Sequence, residues 1–350
     1  MTNTKRLTYA KAGVNLDEVN RIRKDIMKQL HDTLKIRKGK FGGALIDIGH
    51  YAGVIDIGDK ALTVHADGVG TKVLIAQMMN KYDTIGIDCV AMNVNDIICL
   101  GSEPLALIDY LALEKPNKKI VKEIMKGLVK GANEAQISIV GGETAIMPDV
   151  IKGINGKGFD LVGLAVGVVD KDKVINGKDL RRDDLVIGVN SSGIHSNGLS
   201  LARKALLQRY KIDQFVPELG KSIGEELLVP TRIYVKPILE VLKKCEVHGL
   251  AHITGGAFSK LKRLSLNSKV GFLIDNMPEP LPIFQLIQKE GNISKKEMYR
   301  TFNMGIGFCV CAPKSEEDKI FKILSNHGLG ARTIGRIVEN PGVIIGDISL

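Results

Sequence analysis

The stretch Asp67-Gly68-Val69-Gly70-Thr71-Lys72 limits what this chain can fold into, because it joins an apolar run, Ala61 to Val64, to the helix-like pattern Val73, Leu74, Ile75, Met78 and Met79. The order is strand, glycine turn, helix start. A carboxylate, two glycines, a hydroxyl and a lysine in such a turn suit a metal-bound polyphosphate. The glycines admit backbone N–H groups, the helix N-terminus favours an anion, and Asp67 is placed to hold a cation. The string lacks P-loop spacing and no GxxxxGK[ST] occurs in the chain, which argues against an ordinary P-loop NTPase. Taken alone, the same residues also fit a tight turn that needs glycine for positive φ and carries an incidental lysine.

Two more acidic sites lie at the ends of apolar runs. Between Ile85 and Gly101, apolar residues recur at helical spacing, so Asn93 and Asp96 share a face. A carboxylate among such neighbours calls for a partner: backbone or arginine in a purely structural reading, a hard cation in a functional one. Asp67 favours the cation. Gly141-Gly142-Glu143-Thr144 follows the strand-like Ile137 to Val140 and is expected to turn there, presenting Glu143 at a strand end. By itself it reads as a simple turn.

In the second half, the buried-strand pattern Leu185 to Val189 leads into Asn190-Ser191-Ser192-Gly193-Ile194-His195-Ser196-Asn197-Gly198, and a helix is expected from Leu199. These small polar residues look like poor core material and good material for a phosphate cradle, with His195 as acid, base or charge stabiliser.

These motifs come in a recognisable order: the AGV start (12 to 14), DGVGTK (67 to 72), YDTIGID (82 to 88), VNDI (94 to 97), GGETA (141 to 145), SSGIHSNG (191 to 198), PTRIYVK (230 to 236), HITGGAF (252 to 258) and MYRTFNMG (298 to 305). The chain resembles the phosphoribosylformylglycinamidine cyclo-ligase, or aminoimidazole ribonucleotide synthetase, family over nearly its whole length. DGVGTK with GGET is shared with sister ATP-dependent synthetases and kinases; SSGIHSNG with MYRTFNMG is more specific. One departure is the stretch Asp25-Ile26-Met27, where the family's common form has a lysine. Lys24, Lys28, Lys38 and Lys40 are the nearby substitutes.

The resemblance implies an α/β (α+β) two-lobe fold, with the first lobe contributing strands to a barrel across a homodimer interface. It implies ATP and Mg²⁺ as cofactors and formylglycinamidine ribonucleotide as substrate. ATP would phosphorylate the formamide oxygen, and the amidine nitrogen would then close the ring. On that reading Asp67, Asp96 and Glu143 hold Mg²⁺, while Gly68, Gly70, Thr71, Lys72 and Asn93 meet the nucleotide phosphates. His195 stands at the reacting amide, with Lys72 as a second catalytic group. Ser191, Ser192, Gly193, Ser196 and Asn197 contact substrate, joined by Arg300 and Asn303, and Thr254-Gly255-Gly256 faces the cleft. Which loop takes ATP and which takes the ribose phosphate stays open.

At 350 residues the chain exceeds a single core, so two domains are expected, 1–170 and 171–350, with the charged stretch Asp170 to Asp184 between them. Alternating strand-like and helical runs argue for α/β or α+β layers. Phe159 to Val169 ends the first half; Gly305 to Ala312, Arg332 to Val338 and Gly342 to Ile348 read as strands of the second, with a helix from Glu316 to Asn326. Five scattered cysteines argue for a reducing compartment. With no signal-like or membrane-spanning apolar run, the expected location is the cytoplasm.

Of the net charge of +10, seven charges fall within residues 1–40, where 11 basic side chains face 4 acidic ones. A basic lid over anionic ligands explains this, and a solvated helix explains it too. The rival from another class, a nucleic-acid-binding arm, is disfavoured because the chain has no Trp and no aromatics interleaved with the basic run. A sister activity, thiamine-monophosphate kinase or selenophosphate synthetase, is the enzymatic alternative.

Overall fold

The computed structural model describes residues 6–350, so Lys5 of the basic N-terminal run lies outside it. The first half comprises helix α1 (Leu16–Ile36), strands β1 (Gly53–Asp56) and β2 (Lys60–Gly68), helices α2 (Lys72–Met79) and α3 (Ile85–Ile98), β3 (Glu103–Leu113), α4 (Lys118–Ala135), β4 (Ser138–Ile146) and β5 (Phe159–Asp170). The second half runs β6 (Leu185–Asn190), α5 (Leu199–Leu206), the small hairpin β7 (Phe215–Val216) and β8 (Lys221–Ser222), α6 (Ile223–Leu227), α7 (Val235–Lys244), β9 (Gly249–His252), β10 (Gly271–Ile274), α8 (Pro282–Glu290), α9 (Lys295–Thr301), β11 (Ile306–Ala312), α10 (Glu317–Asn326), β12 (Ala331–Val338), β13 (Gly342–Ile345) and β14 (Ile348–Ser349).

The strands form a five-stranded sheet, β1-β2-β5-β3-β4, and a seven-stranded sheet, β14-β13-β10-β12-β6-β11-β9. The α+β layering is the expected one, but the sheets are mostly antiparallel: only β3 with β4 and β10 with β13 run parallel. Ligand placement at the carboxyl end of an open parallel sheet therefore does not apply, and the site must be found from side-chain geometry.

Helix α3 is buried along its whole length, which is why its sequence is apolar almost all round rather than on one stripe. It packs on β2 and β5, touches α4 on its outer side, and reaches α7 and β9 of the second half. The α3–α4 approach is so close that a Cβ on Gly86 would stand 2.2 Å from the Leu128 backbone nitrogen. Only glycine fits there.

Two expectations about local structure are corrected. Gly141-Gly142-Glu143 does not turn: strand β4 runs straight through it, because pairing with β3 continues from Ser138 to Ile146. The last apolar segment is broken in two, with β13 ending at Ile345 and β14 beginning at Ile348, because Gly346 adopts φ +57 and reverses the chain.

Candidate functional site

Strand β2 carries Asp67 to the rim of a deep cleft. Its backbone is clamped by Asn93 on α3, whose Oδ1 accepts from the Asp67 N–H at 2.9 Å and whose Nδ2 donates to the Asp67 carbonyl at 3.1 Å. Asn93 reaches β2 across β5, where a Cβ on Gly163 would lie 2.7 Å from its Nδ2. Asn93 was expected at nucleotide phosphates. It is fully buried and all its hydrogen bonds go to backbone, so it fixes Asp67 instead.

One α-helical turn beyond Asn93, Asp96 enters the same cleft and is almost completely buried. Its Oδ1 lies 2.7 Å from His252 Nδ1, and its Oδ2 lies 3.6 Å from both His65 Nε2 and Lys260 Nζ. Burial pushes the Asp96 carboxyl up. The Lys260 ammonium and the His252 hydrogen bond outweigh that push and hold it well below the usual carboxylate range. Asp67 moves the opposite way: burial raises its pKa, Lys260 moderates the rise, and the neighbouring Asp96 charge adds to it. Burial likewise lowers the Lys260 pKa against the opposing pull of Asp96.

Asp67, Asp96, His65 and Lys260 line a cavity of about 780 Å³ together with His50, Tyr51, Asn197 and Thr254. A second cavity, about 580 Å³, shares Arg23, Asn197, Gly255, Lys260 and Arg263 with the first and adds Lys262, Lys296 and Arg300. The first sets the carboxylates Asp67 and Asp96 among Arg23, Arg37, Lys260 and Arg263 and is the more acidic of the two; the second is lined by six cationic side chains and one acidic one, Asp17. Several buried polar atoms here lack hydrogen-bond partners: both ring nitrogens of His50, Nε2 of His65 and Nδ2 of Asn197. Buried polar atoms are normally satisfied, so their clustering in one cleft marks a ligand site. Burial, with Arg263 beside it, lowers the His50 pKa to about 4, so the ring is neutral at pH 7.

Helix α1 borders both cavities through Arg23. It is tied down by Arg300 Nη2, which donates to Asp17 Oδ1 at 2.7 Å, and by the Tyr9 N–H, which donates to Glu297. None of Lys24, Lys28, Lys38 and Lys40 lines either cavity; Arg23 and Arg37 do, and the Met27 methyl packs against Gly49.

Several expected site residues lie elsewhere. Lys72 is fully buried, with Nζ donating to Val229 O at 2.6 Å and to Asp88 Oδ1 at 3.0 Å. It faces the interior between the two halves, because the first turn of α2 points it at α3. Thr71 Oγ1 accepts from Ser200, and Gly70 has φ +63, the turn conformation expected of it. Gly68 ends β2 with its N–H on the Asp67 carboxylate.

The SSGIHSNG loop is packed rather than open. Ser191 Oγ donates to Gly193 O and Asn303 Oδ1, Ser192 Oγ donates to Pro230 O, and Ser196 Oγ donates to Asp88. Asn303 in turn donates to the carbonyls of Gly193 and Ile194. Small polar residues suit a buried loop when each finds a partner, a possibility that composition alone had hidden. His195 is buried at φ +66, its Nε2 accepts from the Ser192 N–H, and burial drives its pKa well below 6.5. It shapes the loop and does not line the cleft. Of this loop only Asn197 reaches both cavities, along with Gly255 from the Thr254-Gly255-Gly256 turn.

Glu143 is exposed on β4, three strands from β2 in the sheet order, roughly 14 Å at ordinary strand spacing. It does not join Asp67 and Asp96 within this chain. Among the described residues no group of three His, Cys, Asp or Glu is placed to hold a metal. The two remaining carboxylates fit magnesium, a hard cation that takes one or two protein oxygens and completes its shell with water and substrate phosphates.

A family model described as AIR synthase related protein, N-terminal domain, matches residues 49–169, and its C-terminal counterpart matches residues 181–348. The chain belongs to the AIR synthase family. It is 50% identical over 95% of its length to phosphoribosylformylglycinamidine cyclo-ligase of Methanocaldococcus jannaschii, covering 93% of that protein. It is 49% identical to the Pyrococcus furiosus enzyme of the same name, with 97% of both chains covered. The fold is shared with thiamine-monophosphate kinase from Stenotrophomonas maltophilia, TM-score 0.64 at 19% identity over 92% of this chain and 96% of that one. It is also shared with T. maritima PurL complexed with ADP, TM-score 0.57 at 17% identity over 87% of this chain and 45% of that one. Within the AIR synthase family the chain is a ligase-type enzyme, and among its described residues no helix is long and apolar enough to cross a membrane.

His65, His50, Lys260 and Arg263 were not singled out from sequence. His65 stands two residues before Asp67 on β2, so strand alternation places it on the same face, and that signal was available. Nothing local marks Lys260, which reaches Asp96 only through the tertiary fold.

Proposed function

We propose that this enzyme closes the imidazole ring of 5-aminoimidazole ribonucleotide from formylglycinamidine ribonucleotide, with ATP converted to ADP and phosphate, in purine biosynthesis. The observation that carries the reading is about 50% identity, over nearly the full length of both chains, to proteins named for this reaction. The cleft is consistent with it. ATP transfers its γ-phosphoryl to the formamide oxygen; the amidine nitrogen then attacks the activated carbon, and the C–O bond breaks to release phosphate. Such a reaction needs charge neutralisation and fixed geometry more than covalent help from the protein.

We assign the acidic cavity to the metal-bound polyphosphate and the cationic cavity to the ribose phosphate. Magnesium, when bound, would neutralise charge on the transferring group. Asp67 and Asp96 would hold it, and Asn93 keeps Asp67 in place. Arg23, Arg263 and Arg300 attract the anions, with Asn197 between the two cavities. His65, with its Nε2 beside Asp96 and free of hydrogen bonds, is our candidate for holding a proton near the reacting amide. His195 we read as a residue that positions Asn197. We take residues 1–170 and 171–350 as the two synthetase domains, supported by β5 ending at Asp170 and β6 starting at Leu185. We further infer a homodimer joined along β4, an edge strand with Val140 66% exposed, beside exposed Leu105, Ile108 and Tyr110 on β3.

A substrate panel tests this function. Purified protein is given Mg·ATP with formylglycinamidine ribonucleotide, thiamine monophosphate or selenide, and ADP and product mass are measured. Only the first should yield stoichiometric ADP, with a product lighter by the mass of water. Phosphorylation of thiamine monophosphate without turnover of the ribonucleotide would assign the sister activity instead.

A further inference from the structure

The Asp67–Asp96 pair has a cation of its own. Lys260 lies on the 3₁₀ segment Ala257–Leu266, directly after the Thr254-Gly255-Gly256 turn. Its ammonium donates to Thr254 Oγ1, lies 3.6 Å from Asp96 Oδ2, and sits 5.6 Å from the centre of the Tyr51 ring. It lines both cavities, the acidic one and the cationic one. The distance to Asp96 is an electrostatic contact and not a hydrogen bond, and a lysine stem has several rotatable bonds. His252 also hydrogen-bonds Asp96, but burial lowers its pKa and keeps the ring neutral, and it packs against Asn95 without lining either cavity.

We propose that Lys260 is a built-in counter-ion that holds the place of a divalent cation while the enzyme is empty and turns to the nucleotide phosphates when the metal–nucleotide complex arrives. The inference rests on the metal reading of the preceding subsection and goes beyond it. A divalent ion approaching the free acidic pair meets an ammonium already there, so it gains less attraction and meets repulsion. Once polyphosphate oxygens enter the shared cleft, the ammonium has a second anionic partner within reach and the carboxylates are released. Metal therefore binds well only together with nucleotide. Lys260 thus faces Asp67 and Asp96 in the empty enzyme and the nucleotide phosphates in the loaded one.

Binding of Mn²⁺ to the nucleotide-free protein, read from the EPR signal of unbound Mn²⁺, tests this without turnover. Lys260→Met and Lys260→Gln should each bind Mn²⁺ at least about tenfold more tightly than the unaltered protein, the scale of removing one nearby like charge. Adding Asp96→Asn to Lys260→Met should abolish the gain. Equal affinity in all three proteins, or a gain that survives Asp96→Asn, overturns the proposal. Parallel titrations with a non-hydrolysable ATP analogue separate the two levels. Mn²⁺ binding with the analogue but no Lys260 effect without it sinks only this inference. No binding even with the analogue sinks the metal reading as well.

Discussion

Lys72 on α2 and Asp88 on α3 form an ion pair with no solvent exposure, Nζ to Oδ2 2.8 Å, and Asp88 also accepts from the Thr231 N–H and Ser196 Oγ of the second half. The lysine of the DGVGTK motif thus staples the two halves together in the interior. Burial lowers its pKa, and the Asp88 charge opposes that shift. Removing Asp88 leaves a buried ammonium without its charge partner, a loss of about 3–5 kcal/mol. Urea denaturation of Asp88→Asn should show that loss, and an unchanged midpoint would mean that the pair does not hold the halves together.

Asp67→Asn and Asp96→Asn should both abolish turnover, but only the second should also cost stability. Asp96 is fully engaged by His252, His65 and Lys260, whereas neutral Asn at position 67 relieves repulsion with Asp96. Activity at limiting Mg²⁺ together with thermal melting separates the two effects. Full turnover in both variants would remove these carboxylates from the cation site.

Acid should destabilise the fold in two steps. His195 has a folded-state pKa well below its unfolded value near 6.5, so the unfolded chain takes up a proton that the folded chain refuses. Stability is therefore lost as pH falls below about 6.5. Asp96, with a depressed folded pKa, contributes stability above its unfolded value near 3.9 that is lost below it. His195→Asn, which tolerates positive φ, should reduce the loss of stability between pH 6.5 and 5 by the His195 share, leaving those of His50 and His252. An unchanged slope would show that His195 is not held neutral.

The β4 edge should be the subunit interface. Ile108→Asp combined with Val140→Asp places charges on its exposed apolar surface, and sedimentation velocity should show a dimer becoming a monomer. A wild-type protein that sediments as a monomer removes the dimer outright.

Deleting residues 1–40 removes α1, which borders both cavities through Arg23, and Arg37, which caps its C-terminus and lines the first. Equilibrium binding of a non-hydrolysable ATP analogue should weaken by tenfold or more, the scale of losing cations from an anion site. Retained nucleotide affinity combined with tight nucleic-acid binding by the intact chain would favour the rival reading of the basic segment.

The sequence by itself determined the family, the two α+β halves and most of the elements: β5, β6, α5, β11, β12 and α10 lie within a residue or two of the expected spans, because periodicity and turn residues are local properties. It also placed Asp67 and Asp96 at element ends as members of one cation site, together with Glu143, which the fold sets apart on β4. Sequence could not show the third dimension of the cleft. Lys72 and the SSGIHSNG loop have the composition of phosphate ligands, but hydrogen-bond partners distant in sequence, Asp88, Val229, Pro230 and Asn303, draw them into the interior. Lys260 carries no local mark of function and His252 only its place at the head of HITGGAF, yet long-range packing sets them around Asp96, 156 or more residues away in the chain. Spacing reveals which side chains share a face. Only packing decides whether that face meets solvent, a ligand or another part of the protein, because burial and electrostatic pairing depend on contacts between segments far apart in sequence.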